Sequence, residues 1–271
     1  MKRRWHSVRE HPLFARCGFV AVCVAVLLVV AFATRPLEGP AWEKVRARKP
    51  ELNLREMENA LGQGLVVGVL GGFRTILADF LWIRLHGIWE SREREKLLPL
   101  IRLVTTMDPR PEYFWVNGAR MVAYDVPNWR IREEGGYEAV SERRQATIDR
   151  EQARRAFALL DEALELHPRS VRLHLEKAQI YLNRLDAVER AAEWFLKATR
   201  LPGAPRYASR IYAELLKRQG NYREAYDFLK DHHAELPEND PAAMKTVVLR
   251  RIRELEDTLG IPPGERYVPG K

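Results

Sequence analysis

The hydrophobic pattern of the chain begins with an uninterrupted apolar run near the N-terminus. Residues 17–34 read CGFVAVCVAVLLVVAFAT and contain no charged side chain. At a rise of about 1.5 Å per residue, a helix of this length extends about 27 Å, close to the ~30 Å hydrocarbon core of a bilayer. Because the run is apolar on every face, it predicts a transmembrane helix or signal anchor, preceded by a basic tail at residues 1–16.

The flanks of this run predict its orientation and leave one alternative open. Five basic residues precede it, whereas only Arg35 follows it closely. The positive-inside rule therefore predicts a cytoplasmic N-terminus and an extracytoplasmic, periplasmic body. Ala31-Phe32-Ala33 also resembles an A-x-A cleavage site, so the alternative is a cleaved signal peptide and an exported soluble protein.

A second uncharged stretch follows a linker at residues 35–59. Residues 60–73 read ALGQGLVVGVLGGF, which is too short to span a bilayer. Small residues recur every four positions, at Ala60, Gly64, Gly68 and Gly72. On a helix they would form a stripe that lets another helix approach closely. The stripe indicates either a contact with the anchor or a partner subunit, or a tight packing face within the rest of the fold.

From about residue 78 onward the apolar positions follow a helical period, and no alternating stretch predicts a strand. Pro168, Pro202 and Pro237 are spaced 34 and 35 residues apart, each just after a helical pattern ends. A proline at that point ends one helix pair before the next begins. The pattern predicts an all-α fold built from repeated helical hairpins.

The residues between the prolines also recur. Small and bulky residues precede Pro237 at Ala213, Gly220, Tyr222, Ala225 and Leu229, and precede Pro202 at Ala178, Tyr181, Ala191, Phe195 and Ala198. This pattern resembles the tetratricopeptide-repeat (TPR) superfamily over roughly residues 78–239. The stretch that begins LGGFRTILADFLWIRLHGIWE also resembles membrane-anchored TPR proteins of bacteria. The resemblance implies a right-handed superhelix of helical hairpins that binds a protein or peptide in its concave groove.

Repeat boundaries follow from the same spacing. A glycine-spaced helix and a degenerate first repeat are predicted over 60–109, TPR-like repeats over 110–239, a capping helix over 240–259 and a tail over 260–271. Pro109 lies 59 residues before Pro168, which leaves 25 residues beyond one repeat. We expect these to form a long loop near 125–148. It contains an aromatic residue flanked by arginines, the composition of an interface anchor, at Trp129, Arg130, Arg132 and Tyr137.

The resemblance places the first helix of each pair on the concave face. The candidate groove residues are Tyr113, Arg120, Arg172, Gln179, Tyr207, Arg210 and Lys217. Arginine presents a planar fork for carboxylates, and tyrosine offers a large contact area with a polar tip. These residues either bind a protein partner or simply solvate the groove.

Charge and composition exclude some classes of function. The net charge is +8, but residues 1–34 hold five of the 45 basic residues and one of the 37 acidic ones, which leaves 40 and 36. That mixture argues against a nucleic-acid partner. The chain lacks sequence motifs for catalysis, metal binding or cofactor binding, so we expect no enzyme activity and no cofactor. The expected function is a membrane-anchored scaffold or assembly factor. The alternative is an accessory subunit of a membrane enzyme or transport complex that docks through residues 60–90.

Overall fold

The computed structural model describes residues 73–238 and 240–270, and this part of the chain is all-helical, without a strand. The predicted all-α class is therefore confirmed for these residues. The apolar run at 17–34, the linker at 35–59 and the small residues Ala60, Gly64, Gly68 and Gly72 lie outside the described residues. Across 73–238 and 240–270, no helix is long and apolar enough to span a bilayer.

The chain divides into two compact units, Met1–Leu81 and Trp82–Lys271. Residues 73–81 are the described part of the first unit. They contain the first half of helix α1 (Arg74–Glu90), which continues into the second unit. In this half of α1, Ala78 and Leu81 are buried, whereas Ile76 and Phe80 are exposed.

The second unit continues with further helices and short helical turns. In chain order these are α2 (Arg94–Met107), α3 (Glu112–Arg120), a π-helical turn (Met121–Asp125), α4 (Val126–Glu133), α5 (Glu142–Leu166), α6 (Val171–Leu185), α7 (Val188–Thr199), α8 (Arg206–Arg218), α9 (Tyr222–Glu235), a 3₁₀ turn (Pro241–Ala243), α10 (Lys245–Thr258) and a 3₁₀ turn (Pro263–Glu265).

Local chemistry sets several helix ends. The hydroxyls of Ser141 and Ser170 accept hydrogen bonds from the backbone N–H groups of Arg144 and Leu173, which caps the N-termini of α5 and α6. After α8, Gly220 has φ +79°, a left-handed conformation that strains residues with a Cβ. These residues fix the starts of α5 and α6 and the end of α8.

Neighbouring helices in the chain pack on one another from α5 to α10. Their shared core contains fully or nearly fully buried alanines at positions of the repeated pattern, namely Ala178, Ala191, Ala198, Ala213 and Ala225. Small side chains let the helix backbones approach, and the fully buried Phe195 fills the space between them. The repeated alanines are therefore core residues.

The predicted long loop near 125–148 is wrong. α3, the π-helical turn and α4 follow one another without a break from Glu112 to Glu133, and α5 begins at Glu142. The added residues therefore lengthen both helices of this pair and leave a short turn between them. Ile131 and Ile148, one on each lengthened helix, are fully buried in a small separate cluster with Val140. Burial of these apolar residues favours helix over loop here.

The C-terminal region also differs from the prediction. The Asp240 carboxylate accepts a hydrogen bond from Ala242 N (2.9 Å), so it caps the 3₁₀ turn. Met244 then adopts a left-handed φ of 53°, and α10 begins only after it. Past α10, the Tyr267 backbone N–H donates to Glu256 Oε1 at 2.7 Å. Glu256 is fully buried, so Tyr267, which lies within the predicted tail, is bound to the core.

Candidate binding groove

A pocket of about 350 Å³ lies between α6, α8 and α10. Its residues combine apolar side chains with three arginines and one carboxylate: Leu182, Tyr207, Arg210, Ile211, Glu214, Leu215, Arg218 and Arg251. Six of them come from α8 and recur at intervals of three, four or one residue, which places them on one helix face. The pocket therefore forms along the exposed face of α8.

Two arginines meet in this pocket. Arg251 Nη1 donates to the Arg210 carbonyl oxygen at 3.2 Å, which brings α10 against α8. Burial lowers the pKa of Arg210, and the positive charge of Arg251 lowers it further, although a guanidinium stays protonated in a protein. Among the described residues, Arg210 Nη1 is buried without a hydrogen-bond partner. Within the described part of the chain, neither guanidinium is paired with a carboxylate.

Other charges at the pocket are already compensated. The Lys217 ammonium lies 3.7 Å from carboxylate oxygens of both Glu214 and Glu254. Arg218 Nη2 lies 3.2 Å from Asp186 Oδ1. The excess positive charge therefore belongs to Arg210 and Arg251, whereas the predicted groove residue Lys217 is held in an ion-pair network.

The predicted groove residue Arg120 has an acidic partner that sequence reasoning did not identify. Its guanidinium binds Glu176 Oε2 at 2.7 Å, which links α3 to α6. Glu176 is buried, and burial raises its pKa although Arg120 and Arg172 oppose that shift. Glu176 Oε1 has no hydrogen-bond partner in the part of the chain that the structure describes. Helical spacing places Arg172, Glu176 and Gln179 on one face of α6.

The two predicted tyrosines have different surroundings. Tyr207 lines the pocket and is 40% exposed. Tyr113 is 47% exposed, and its ring packs edge-on against Trp82 with a centroid distance of 5.6 Å. The pocket therefore contains Tyr207 and Arg210 from the predicted groove set, but not Tyr113.

Residues of the predicted insertion are divided between core and surface. Trp129 is 8% exposed, so its ring belongs to the core and is not available as an interface anchor. Arg130 Nη1 binds Glu151 Oε2 at 2.7 Å, and the Arg130 side chain is 14% exposed. Arg132 and Tyr137 are exposed. Of these four residues, only the last two are available to a partner.

A polar network surrounds the π-helical turn. Trp89 Nε1 donates to Asp125 Oδ2 at 2.8 Å, which ties the turn to α1. Arg184 pairs with Asp149 and lies over the Tyr124 ring, 5.7 Å from its centroid. π-helical turns are frequent at functional sites, but these groups bond to one another. Within the described ranges, no cluster of three or more His, Cys, Asp or Glu could hold a metal ion.

Comparison with known proteins adds no assignment. No protein-family model matches the chain, and no curated protein is significantly similar to it. The groove residues and their charges are therefore the remaining guide to function.

Proposed function

We propose that the chain is a non-catalytic, membrane-anchored scaffold or assembly factor of the TPR type, which binds an acidic segment of a protein partner in the pocket at Arg210. The repeated proline spacing and the buried alanines support the TPR assignment. The apolar run at 17–34 and its basic flank support an anchor with an extracytoplasmic body.

The two unpaired arginines are the main evidence for an acidic ligand. Arg210 has a buried, unbonded Nη1, and Arg251 lies against it without a carboxylate partner among the described residues. A buried donor without a partner costs free energy, and that cost falls when a ligand oxygen accepts the bond. Carboxylates suit this position because a guanidinium can bind both of their oxygens.

The remaining pocket residues fit a peptide better than a small ion. Leu182 and Ile211 provide apolar surface beside the arginines. Tyr207 adds a large, partly exposed ring with a polar end. A segment with an acidic residue next to an apolar one would satisfy both parts of the pocket.

A photo-crosslinking amino acid at Tyr207 tests the proposal in cells that express the chain natively. We expect crosslinks to a protein whose captured segment is acidic, identified by mass spectrometry. The double charge reversal Arg210→Glu with Arg251→Glu should lower capture by about 30-fold, equivalent to about 2 kcal/mol, because two attractions become repulsions.

The matched control is Arg143→Glu with Arg250→Glu. Both control arginines are exposed, and Arg250 is adjacent to Arg251 on α10, so the net charge changes equally. The control should capture the partner as the parent does, and circular dichroism should show the helices of both variants intact. Equal capture by the groove reversal and the control would overturn the proposed site.

The alternative of an accessory subunit that docks through residues 60–90 stays a prediction. Of that segment, the structure describes Phe73 and α1.

A further inference from the structure

Helix α1 carries apolar residues on two opposite faces. Ala78 and Leu85 are fully buried on one face. On the other, Ile76, Phe80 and Ile83 are 54%, 64% and 69% exposed. All five belong to one continuous helix, so its periodicity alone places the exposed residues in a row. Large apolar side chains exposed together mark an interaction surface.

The spacing of the exposed row is that of a coiled-coil seam. Phe80 follows Ile76 by four residues, and Ile83 follows Phe80 by three. With heptad positions labelled a to g, Ile76 and Ile83 occupy d and Phe80 occupies a. We call these three residues the α1 seam. The next position of the row is Gly87, which has no side chain to extend it.

Charges beside the α1 seam complement those of an identical helix. Asp79 occupies position g and Arg84 position e of the next heptad, and both are exposed. Neither has an ion-pair partner within the described ranges. In a parallel pair of helices, g of one helix faces e of the next heptad of the other. Asp79 of each copy would then meet Arg84 of the second copy, twice by symmetry. An antiparallel pair would not bring these two positions together.

We propose that α1 pairs in parallel with α1 of a second copy of this chain, through the α1 seam and two Asp79–Arg84 contacts between copies. A lipid surface fits the pattern less well. Helices that lie on membranes carry mainly Lys and Arg beside the apolar face, whereas Asp79 and Glu90 are exposed here.

Confinement of the chains in one membrane explains how a short seam is sufficient for pairing. The α1 seam is shorter than the three to four heptads typical of independent coiled coils. The proposed anchor at 17–34 would hold copies in one membrane with the same orientation, which raises their effective concentration and favours the parallel pair. The pairing thus rests on the anchor of the proposed function, but it does not depend on the groove at Arg210.

Disulfide crosslinking of the full chain in membranes tests the pairing. In a background with Cys17→Ser and Cys23→Ser, Ile83→Cys should give a crosslinked dimer on mild oxidation, because d positions of parallel helices face each other. Val268→Cys, an exposed apolar position outside the seam, is the matched control and should stay monomeric.

Charge exchange then tests the register. Asp79→Arg or Arg84→Asp alone should lower the yield of the Ile83→Cys dimer by roughly tenfold, because two attractive contacts become repulsive. The double exchange Asp79→Arg with Arg84→Asp should restore the parent yield. Circular dichroism of each variant should show unchanged helix content.

The proposal would be overturned if Ile83→Cys crosslinks no better than Val268→Cys, or if the charge variants all crosslink equally. Quenching of a fluorophore on Ile83→Cys by lipid-borne quenchers, without dimer formation, would assign the face to lipid. The groove is tested separately, by capture of a partner at Tyr207. If no partner is captured there, the Ile83→Cys dimer should still form, so the two proposals can fail independently.

Discussion

Gly118 offers the sharpest test of the packing between α2 and α3. A Cβ built on Gly118 would lie 2.6 Å from Cγ2 of Ile101, which is fully buried. Real Cβ atoms do not approach that closely, so Gly118→Ala must displace Ile101 within a packed core. Overpacking of this kind costs about 2 kcal/mol, whereas replacing glycine by alanine in a helix gains about 1 kcal/mol. The net expectation is a loss of about 1 kcal/mol.

Gly87→Ala is the matched control. Gly87 also lies within a helix, but a Cβ there would meet no other atom of the described residues within 4 Å. The control should therefore gain about 1 kcal/mol from helix propensity alone. Urea unfolding of the full chain, followed by far-UV circular dichroism, should separate the two variants by about 2 kcal/mol in the free energy of unfolding.

A double-mutant cycle isolates the contact. Ile101→Ala removes the displaced methyl group at the cost of a cavity, so the pair Gly118→Ala with Ile101→Ala should lose about 2 kcal/mol less than the sum of the single losses. Strictly additive losses, or a Gly118→Ala variant as stable as the control, would refute the close approach of α2 and α3.

Two further predictions concern buried titratable groups. Burial lowers the pKa of His233 below its ordinary 6.5, and Lys245 lowers it further, so the unfolded chain takes up a proton more readily than the folded one. The free energy of unfolding should therefore fall as the pH drops below 6.5. His233→Gln should make that fall shallower, as measured by urea unfolding across a pH series. Identical dependence of stability on pH in parent and variant would contradict this prediction. Burial and the hydrogen bond to Glu224 raise the pKa of Tyr212 to about 12. Tyr212→Phe should remove an ionisation near that pH from a spectrophotometric titration and lower the free energy of unfolding by about 1 kcal/mol. Replacement of the exposed Tyr207 by Phe is the control. An unchanged titration of Tyr212→Phe would rule out the raised pKa of Tyr212.

Local sequence signals determined the helical class and many helix ends. A helical period of apolar positions requires no knowledge of distant residues, because each residue's face follows from its place in the turn. Serine caps and prolines act within one turn, which is why both ends of α5 and the start of α6 follow from Ser141, Pro168 and Ser170. The register within a repeat likewise predicts Arg210 as a groove residue.

Only the tertiary structure decided which side chains meet. Arg251 lies 41 residues from Arg210, and its role depends on how α10 packs on α8. The partner of Arg120, Glu176, lies 56 residues away on another helix. The helical period predicts the face of a helix on which a charged residue lies. It does not predict which residue of a neighbouring helix the charge meets, because helix crossing angles and separations depend on the whole core.

The same limit explains the error at residues 125–148 and the contacts of Tyr267 that the sequence did not predict. The proline spacing predicts the extra length at residues 125–148. That these residues form two longer helices depends on contacts between Ile131 and Ile148 across the hairpin. Tyr267 is bonded to Glu256 and His233, so its partial burial depends on residues in α9 and α10. The sequence determined the helices and their faces by local periodicity, whereas the arginine pair, the lengthened hairpin and the binding of Tyr267 required contacts between residues far apart in the chain.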